Sequence, residues 1–467
     1  YNSVNHEYLV VWSGEDNSGA LARGEFEIYG QRLDAVSCAQ LGTNDFRISD
    51  MGPDGDVNFD ALSPSVAYDP IVNQYLVVWE GDDNSGTTVE GESEIFGQRI
   101  AGSTGLELGT NDFRISDMGT DGNIDFDALV PTVVCNTISN EYLVAWAGED
   151  DTGLLVTGEF EIFAQRLSAA GAELGTNDFR VSDMGPDGDP TYDAFAPAIA
   201  FDDTDNQYLV VWQGQNNFGI LTPGETEIWG QRLNAAGAEL GTNDFRISDM
   251  GPDGDGTFDA VSASAAYDHG ANQYLVVWEG DDDTFPAVNG ENEIWGQLIA
   301  AATGLEVGAN DFRLSDMGVD GDGFSDASVP SVAYGSLGGQ YLVIWHGDDM
   351  APGMGPDEFE IYGQRFALSI PSDVGEGAPD ASRLHLAVGP NPTRGAARVQ
   401  LAGSARGQAE VTLFDITGRA RLERKVDLDG QGRGVLEVNA SELPVGVYLV
   451  RARAAGSTVA EKLIVTR

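Results

Sequence analysis

The apolar positions of the chain gather in short runs that return at a fixed interval. Tyr8-Leu-Val-Val-Trp12 recurs at Tyr75, Tyr142, Tyr208, Tyr274 and Tyr341, with spacings of 67, 67, 66, 66 and 67 residues. Six units follow, near 1–63, 64–130, 131–196, 197–262, 263–329 and 330–368. Each carries four runs of strand character, a PSVAY type, YLVVW, EIFGQRI and FRIS, rich in β-branched or aromatic residues and bounded by Gly, Asn, Asp or Pro. None has a helical period. In YLVVW both parities are apolar, with Tyr75, Val77 and Trp79 on one side and Leu76 and Val78 on the other. Both faces of that strand are therefore expected to be buried, because a sheet with one wet face would alternate.

A four-stranded antiparallel unit covered on both faces and repeated along the chain fits blades stacked side by side. The expected fold is all-β: a β-propeller of about six four-stranded blades over residues 1–368, then a small C-terminal β-sandwich. The last unit stops after Gln364-Arg365-Phe366, and the first lacks its PSVAY run apart from Tyr1, so one strand is expected to be missing at each end. An upstream segment of about 20 to 25 residues would complete both ends in one blade and leave no open edge.

Composition changes beyond residue 368. Residues 369–382, with two Pro, two Gly and three acidic residues, read as a linker, and 383–467 as a second domain. Residues 381–467 hold 13 Lys plus Arg against 8 Asp plus Glu, whereas 1–380 hold 11 against 68. The alternating runs Ala397 to Leu401, Ala409 to Phe414, Gly434 to Val438, Val447 to Arg451 and Ala460 to Val465 indicate the sandwich. With a formal charge of -52 overall, nucleic acid and anionic membrane surfaces are excluded as partners for most of the molecule, since phosphate binding needs clustered cations. No apolar run approaches the roughly 18 residues of a transmembrane segment. Cys38 and Cys135 are too few for a disulfide framework.

The acidic loops after FRIS are the candidate chemistry. Their carboxylates keep +4, +6 and +10 offsets: Asp50, Asp54, Asp56 and Asp60; Asp117, Asp121, Asn123 and Asp127; Asp183, Asp187, Asp189 and Asp193; Asp249, Asp253, Asp255 and Asp259; Asp316, Asp320, Asp322 and Asp326. A glycine-bent loop that converges such groups would bind a hard cation, and Ca²⁺ tolerates irregular oxygen geometry, so calcium is the expected cofactor. The competing reading is that Asp and Gly are good turn formers and that surface acid keeps a protein soluble. In an up-and-down blade the loop after strand two and the loop leading to the next blade emerge on the same side. Gly81-Asp82-Asp83-Asn84 with Glu92 is therefore expected to share a face with Asp117 to Asp127, while unit four carries Gln215-Asn216-Asn217 instead.

Two arginine sets are equally regular. Arg32, Arg99, Arg166, Arg232 and Arg365 follow Gln, and Arg47, Arg114, Arg180, Arg246 and Arg313 follow Phe. In an acid-rich scaffold they are expected to pair with neighbouring carboxylates rather than line a pocket. The rings Tyr29, Phe96, Phe163, Trp229, Trp295 and Tyr362 are expected between blades. His6, His269, His346 and His385 fall at unrelated positions and suggest neither a triad nor a zinc site.

Two resemblances add to this reading. Pro64-Ser-Val-Ala67, Tyr75 to Trp79 and Ile95-Phe-Gly-Gln-Arg99, with their counterparts, make the repeats similar to a bacterial family of secreted and surface β-propeller modules. The tail looks like a type IX secretion C-terminal sorting domain. The matching residues are Gly389-Pro-Asn-Pro392, Val411 to Arg419, Leu443-Pro-Val-Gly-Val-Tyr-Leu-Val450 and Glu461-Lys-Leu-Ile-Val465. That resemblance implies the type IX secretion machinery as a partner, export to the medium or outer surface of a Gram-negative bacterium, and anchoring to surface polysaccharide. The function expected is a calcium-stabilised, non-catalytic binding or structural module, directed at polysaccharide or another surface protein. The alternatives are a carbohydrate-binding lectin and a propeller glycosidase or polysaccharide lyase.

Overall fold

The computed structural model describes residues 1–15, 22–83, 89–150, 154–216, 224–281, 290–317, 325–336, 339–348, 359–366, 385–389, 396–402, 407–415, 419–429, 433–439, 443–444, 446–454 and 457–465. The chain divides into two compact units, Tyr1–Ser369 and Ile370–Arg467. Among the described residues no helix is long and apolar enough to cross a membrane.

The first unit is a file of antiparallel sheets. Blade 1 holds β1 (Glu7–Glu15), β2 (Phe26–Asp34) and β3 (Gln40–Arg47), and blade 2 holds β4 (Ala61–Asp69), β5 (Gln74–Gly81), β6 (Glu94–Ala101) and β7 (Glu107–Arg114). Blade 3 repeats this with β8 (Ala128–Asn136), β9 (Glu141–Gly148), β10 (Glu161–Ser168) and β11 (Glu173–Arg180). Blade 4 is β12 (Ala194–Asp202), β13 (Gln207–Gly214), β14 (Glu227–Asn234) and β15 (Glu239–Arg246). Blade 5 is β16 (Ala260–Asp268), β17 (Gln273–Gly280), β18 (Glu293–Ala300) and β19 (Glu306–Arg313). Blade 6 is β20 (Ala327–Gly335), β21 (Gln340–Gly347) and β22 (Glu360–Phe366). Blades 1 and 6 thus have three strands among the described residues, lacking the first and the fourth strand respectively, as the sequence leads one to expect.

First strands of successive blades run beside one another, while the fourth strands face solvent, which is the inner and outer order of propeller blades. The YLVVW strand is covered on both faces in the interior blades: Tyr75 is 1% exposed and Leu76 to Trp79 are 0%. The Leu76 and Val78 face of blade 2 meets Tyr142, Val144, Trp146 and Phe163 of blade 3, and the other junctions repeat that pattern. Phe96, Phe163, Trp229 and Trp295 are buried between blades, as expected of the aromatic ring positions.

The fourth strand departs from the expectation. It is Glu107–Arg114, not FRIS, so Ile115 and Ser116 lie beyond it and turn back, each amide bonding the Ile95 carbonyl at 2.7 and 3.3 Å. The strand is polar because it is the outer one, with a wet face. A bulge pins it: pairing shifts between Gly97 and Arg99, and Asp112 takes φ 44° with its amide 3.1 Å from Gln98 Oε1.

The second unit is a two-sheet sandwich. One sheet orders β23 (His385–Gly389), β24 (Ala396–Ala402) and β27 (Gly434–Asn439); the other orders β26 (Ala420–Leu428), β25 (Gly407–Asp415), β28 (Gly446–Ala454) and β29 (Ser457–Val465). Val399, Leu401, Val411, Leu413, Val450 and Leu463 lie in its core. All five sequence runs are strands, and β23 and the charge-rich β26 are additions.

Candidate functional site

Hydrogen bonding at the loop end of the blades follows one scheme from unit to unit. The two loop types do meet there: the Asp60 amide donates to Asp82 Oδ1 at 2.9 Å, and the Gly122 amide lies 3.0 and 2.9 Å from the two oxygens of Glu92. The same-face expectation for Asp82, Glu92 and the Asp117 to Asp127 loop therefore holds.

Within each loop, however, the four offset positions do different jobs. The first two are held by the Phe-Arg arginine. Arg180 Nη2 is 2.8 Å from Asp183 Oδ1 and Nη1 is 2.7 Å from Asp187 Oδ1. Arg47 pairs with Asp50 and Asp54, Arg114 with Asp117 and Asp121, Arg246 with Asp249 and Asp253, and Arg313 with Asp316. The third position closes a local turn: Asp56 and Asn123 accept the amides of Asn58 and Asp125, Asp189 that of Thr191, and Asp255 the Thr257 hydroxyl. The fourth reaches back a whole strand. Asp60, Asp127, Asp193, Asp259 and Asp326 accept the amides of Phe26, Ser93, Phe160, Thr226 and Asn292 at 2.9 to 3.1 Å, tying each blade to the one before. Asp320 and Asp322 lie outside the described residues.

Among the described residues no group of three or more Asp, Glu, His or Cys side chains is placed to hold a metal ion. One arginine, three and seven residues upstream, bonds both of the first two carboxylates and offsets one of their two charges. The Gln-Arg set meets the pairing expectation only in part: Arg99 reaches the Ala169 carbonyl and Arg232 the Gln207 Oε1, each at 3.4 Å, because the position that is Glu in blades 1 and 3 is Gln in blades 2 and 4. Arg32 makes two bonds to Glu7 at 2.9 and 2.7 Å, and Arg166 bonds Glu141 at 3.2 Å. His6 and His269 are exposed and His346 is half-buried, and Cys38 and Cys135 are free thiols, exposed and buried.

Sequence reasoning missed the most buried acids. Glu27, Glu94, Glu161, Glu227 and Glu293 open the third strands, or lie just inside, and are 0 or 1% exposed. Each accepts the Ser hydroxyl of the following RIS-type segment: Ser49, Ser116, Ser182, Ser248 and Ser315. Each also takes the amide of the buried Met two residues further, as Met118 does to Glu94 at 3.1 Å. Burial pushes the Glu94 carboxyl up to about 8, and those of Glu161 and Glu227 up to about 7. At the outer bulge Asp112, Asp178 and Asp244 are likewise pushed by burial up to about 7. Asp112 Oδ2 accepts the Asp50 amide of the preceding blade at 2.9 Å, and Asp178 and Asp244 accept those of Asp117 and Asp183. The signal that would have found these groups is recurrence: a Glu before the Ile-aromatic-Gly (or Ala) of blades 1 to 5 and a Ser 21 or 22 residues later.

The tail decides one part of the identity. Residues 387–466 match the secretion system C-terminal sorting domain. The C-terminal domain is a secretion sorting domain. With this type IX tail the chain is a secreted or cell-surface protein of a Gram-negative bacterium, handled by the type IX machinery. No curated protein matches the chain in sequence. Solved structures similar to the chain include an α-L-arabinofuranosidase from Fusarium graminearum in complex with an iminosugar inhibitor, 12% identical over 82% of this chain and 94% of that one, TM-score 0.40. Others are a thermostable family-43 glycoside hydrolase (12% identical, 66% and 89% covered, TM-score 0.37) and an exo-β-1,3-galactanase from Phanerochaete chrysosporium (12%, 97% and 99%, TM-score 0.35). A likeness at this level does not bear on activity.

Proposed function

We propose that the blade array is a surface-displayed module that works by binding or by structure, carried out of the cell by its sorting domain. One observation carries this reading: the loop carboxylates are committed to the chain's own arginines and backbone amides in the same way from blade to blade. One substrate breaks the symmetry of a repeat array, so turnover calls for one blade to present groups the others lack. Repetition of the same internal bonds instead supports a stiff scaffold with a uniformly acidic rim, whose partner is a surface polysaccharide or another surface protein.

The test is a glycan panel offered to the full chain, with retention and reducing-end release measured on the same sugars. Retention without release, or no sugar contact together with capture on the cell surface, fits the proposal. Release of reducing ends with multiple turnovers overturns it in favour of a glycosidase.

A further inference from the structure

A groove of about 470 Å³ lies between the outer strand of blade 1 and the β6 to β7 hairpin of blade 2. Arg32 and Phe46 lie deepest in it, with Thr43, Thr104, Leu106 and Glu107 around them. That volume falls in the range of small-ligand sites. Every residue lining it recurs at the junction of blades 4 and 5, where Arg232, Phe245, Thr242, Thr303, Leu305 and Glu306 take the same places. Strand pairing agrees, with Arg32 opposite Leu41 and Arg232 opposite Leu240. The junctions of blades 2 with 3 and 3 with 4 differ: their hairpins are shorter by one residue and put Ala170 and Ala172, or Ala236 and Ala238, where Thr and Leu stand.

The two matching grooves treat their arginine differently. In the first, Glu7 takes Nε and Nη2 of Arg32 at 2.9 and 2.7 Å. In the second, the Glu position is Gln207, whose Oε1 lies 3.4 Å from Arg232 Nη2. Arg232 is only 7% exposed, yet its Nε has no partner among the described residues. The nearby acid stands behind the amide: Asp202 Oδ2 accepts Gln207 Nε2 at 2.8 Å. Blades 1 and 3 hold Asn2 with Glu7 and Asn136 with Glu141 at these two positions, so in blade 4 the carboxylate sits one hydrogen bond further from the guanidinium. Arg232 Nη1 lies beside Gly241 and Gly304, where an added Cβ would stand 3.5 Å from it, so both glycines leave it open. Arg246 is already held by Asp249 and Asp253, and the cation left for an anion is Arg232. A buried guanidinium with an unmade bond is destabilising until an acceptor completes it.

We propose that the groove between blades 4 and 5 binds the carboxylate of a uronic acid unit in a polysaccharide, with Arg232 as the anchor. The planar fork of Arg232 suits a carboxylate, Phe245 and Leu305 suit the apolar face of a sugar ring, and Thr242 and Glu306 suit its hydroxyls. This rests on the reading of the blade array as a non-catalytic module for polysaccharide, and names the sugar class. Acid around the groove opposes a dense polyanion, so the chain that fits spaces its uronic acids with neutral sugars. The Arg32 groove takes the same unit more weakly, because Glu7 already fills that fork.

Calorimetry of the full chain with glucuronosyl and galacturonosyl disaccharides, beside their carboxyl-reduced counterparts and sodium acetate, reads the outcome. A uronic disaccharide is expected to bind at least about tenfold tighter than its reduced counterpart and than acetate. Asp202→Asn combined with Gln207→Glu moves the acid onto Arg232 at constant net charge and should weaken binding about tenfold. Arg232→Leu should weaken it as much, and Leu298 at the same place in blade 5 shows that the repeat accommodates the change. Circular dichroism melts check that the variants fold, and either one that does carries the test. Equal affinity for uronic and reduced sugars, acetate bound as tightly as the disaccharide, or native affinity in a folded variant overturns the proposal. Reducing-end release is followed in the same samples. Release with binding that the variants lose supports the groove while overturning the non-catalytic reading, whereas neither binding nor release overturns the groove alone.

Discussion

Acid should stabilise the blade array, against the usual behaviour of carboxylates held by arginine. Six buried groups carry the effect: Glu94 at about 8, and Glu161, Glu227, Asp112, Asp178 and Asp244 at about 7. In the unfolded chain these groups titrate near 4. Between the two values the folded protein holds protons that the unfolded chain has already lost. Stability contributed by this difference is fully present below about pH 4 and is lost progressively as pH rises from there through 7 to 8. Each extra proton gives a slope of about 1.4 kcal/mol per pH unit. The full six would give about 8 kcal/mol per unit; taking a third of that, because arginines sit beside several of the acids, leaves about 3 kcal/mol per unit near pH 6.

The assay is urea unfolding at pH 5, 6, 7 and 8 at fixed ionic strength, with Glu94→Gln beside the native chain. The glutamine keeps an acceptor for the Met118 amide and places a donor toward the Ser116 hydroxyl, replacing the bonds that Glu94 makes there. It removes one titrating group, so its slope should be shallower by up to about 1.4 kcal/mol per unit between pH 5 and 8. A stability that stays level or rises from pH 5 to 8 would refute the reasoning, and so would a Gln variant whose slope equals that of the native chain.

Arg180→Ala leaves Glu161, Asp183 and Asp187 without their shared cation, and should lower stability by about 2 to 3 kcal/mol in the same assay at pH 8, with Lys restoring only part because it cannot fork. Calcium added in calorimetry should give no stoichiometric heat at these loops and no rise in melting temperature beyond that of NaCl at equal ionic strength, because a cation there must first displace arginines from Asp50 and Asp54 and their counterparts. One-to-one uptake with a raised melting temperature would refute this prediction and make calcium a structural ion of the loops. Deleting residues from about Arg383 onward should trap the blade array inside the producing cell while leaving it folded, read by cell fractionation and a melt, because the sorting domain has a core of its own.

What the sequence made legible, and what it hid, follows from how each residue type is used. Tyr75 to Trp79 could be placed between two faces because apolar side chains on both parities have one physical meaning. The outer strand Glu107–Arg114 was hidden because Gly, Thr, Asn and Asp are poor strand formers on average, and only its wet face and the bulge at Asp112 make it tolerable. Likewise β26 is full of Arg, Glu and Lys and looks like a loop, although its hairpin partner β25 is plainly apolar.

Glu94 was hidden for a deeper reason. A charged residue at a strand start reads as exposed, and nothing in its own segment shows that Ser116 and the Met118 amide will arrive to accept its burial. The acidic loops illustrate the same point in reverse. Arg47, Asp50 and Asp54 lie together in the sequence, and treating the arginines and the carboxylates as separate sets hid the ion-pair cluster they form. Acid in this protein is therefore of two kinds that composition cannot separate. Some of it faces water and repels, while some, at Glu94, Asp60 and Asp112, faces inward and binds the backbone of its own or a neighbouring blade. The inward kind explains how a chain with so many like charges keeps its blades in register: much of that charge is bound to amides and arginines at the seams where the blades meet.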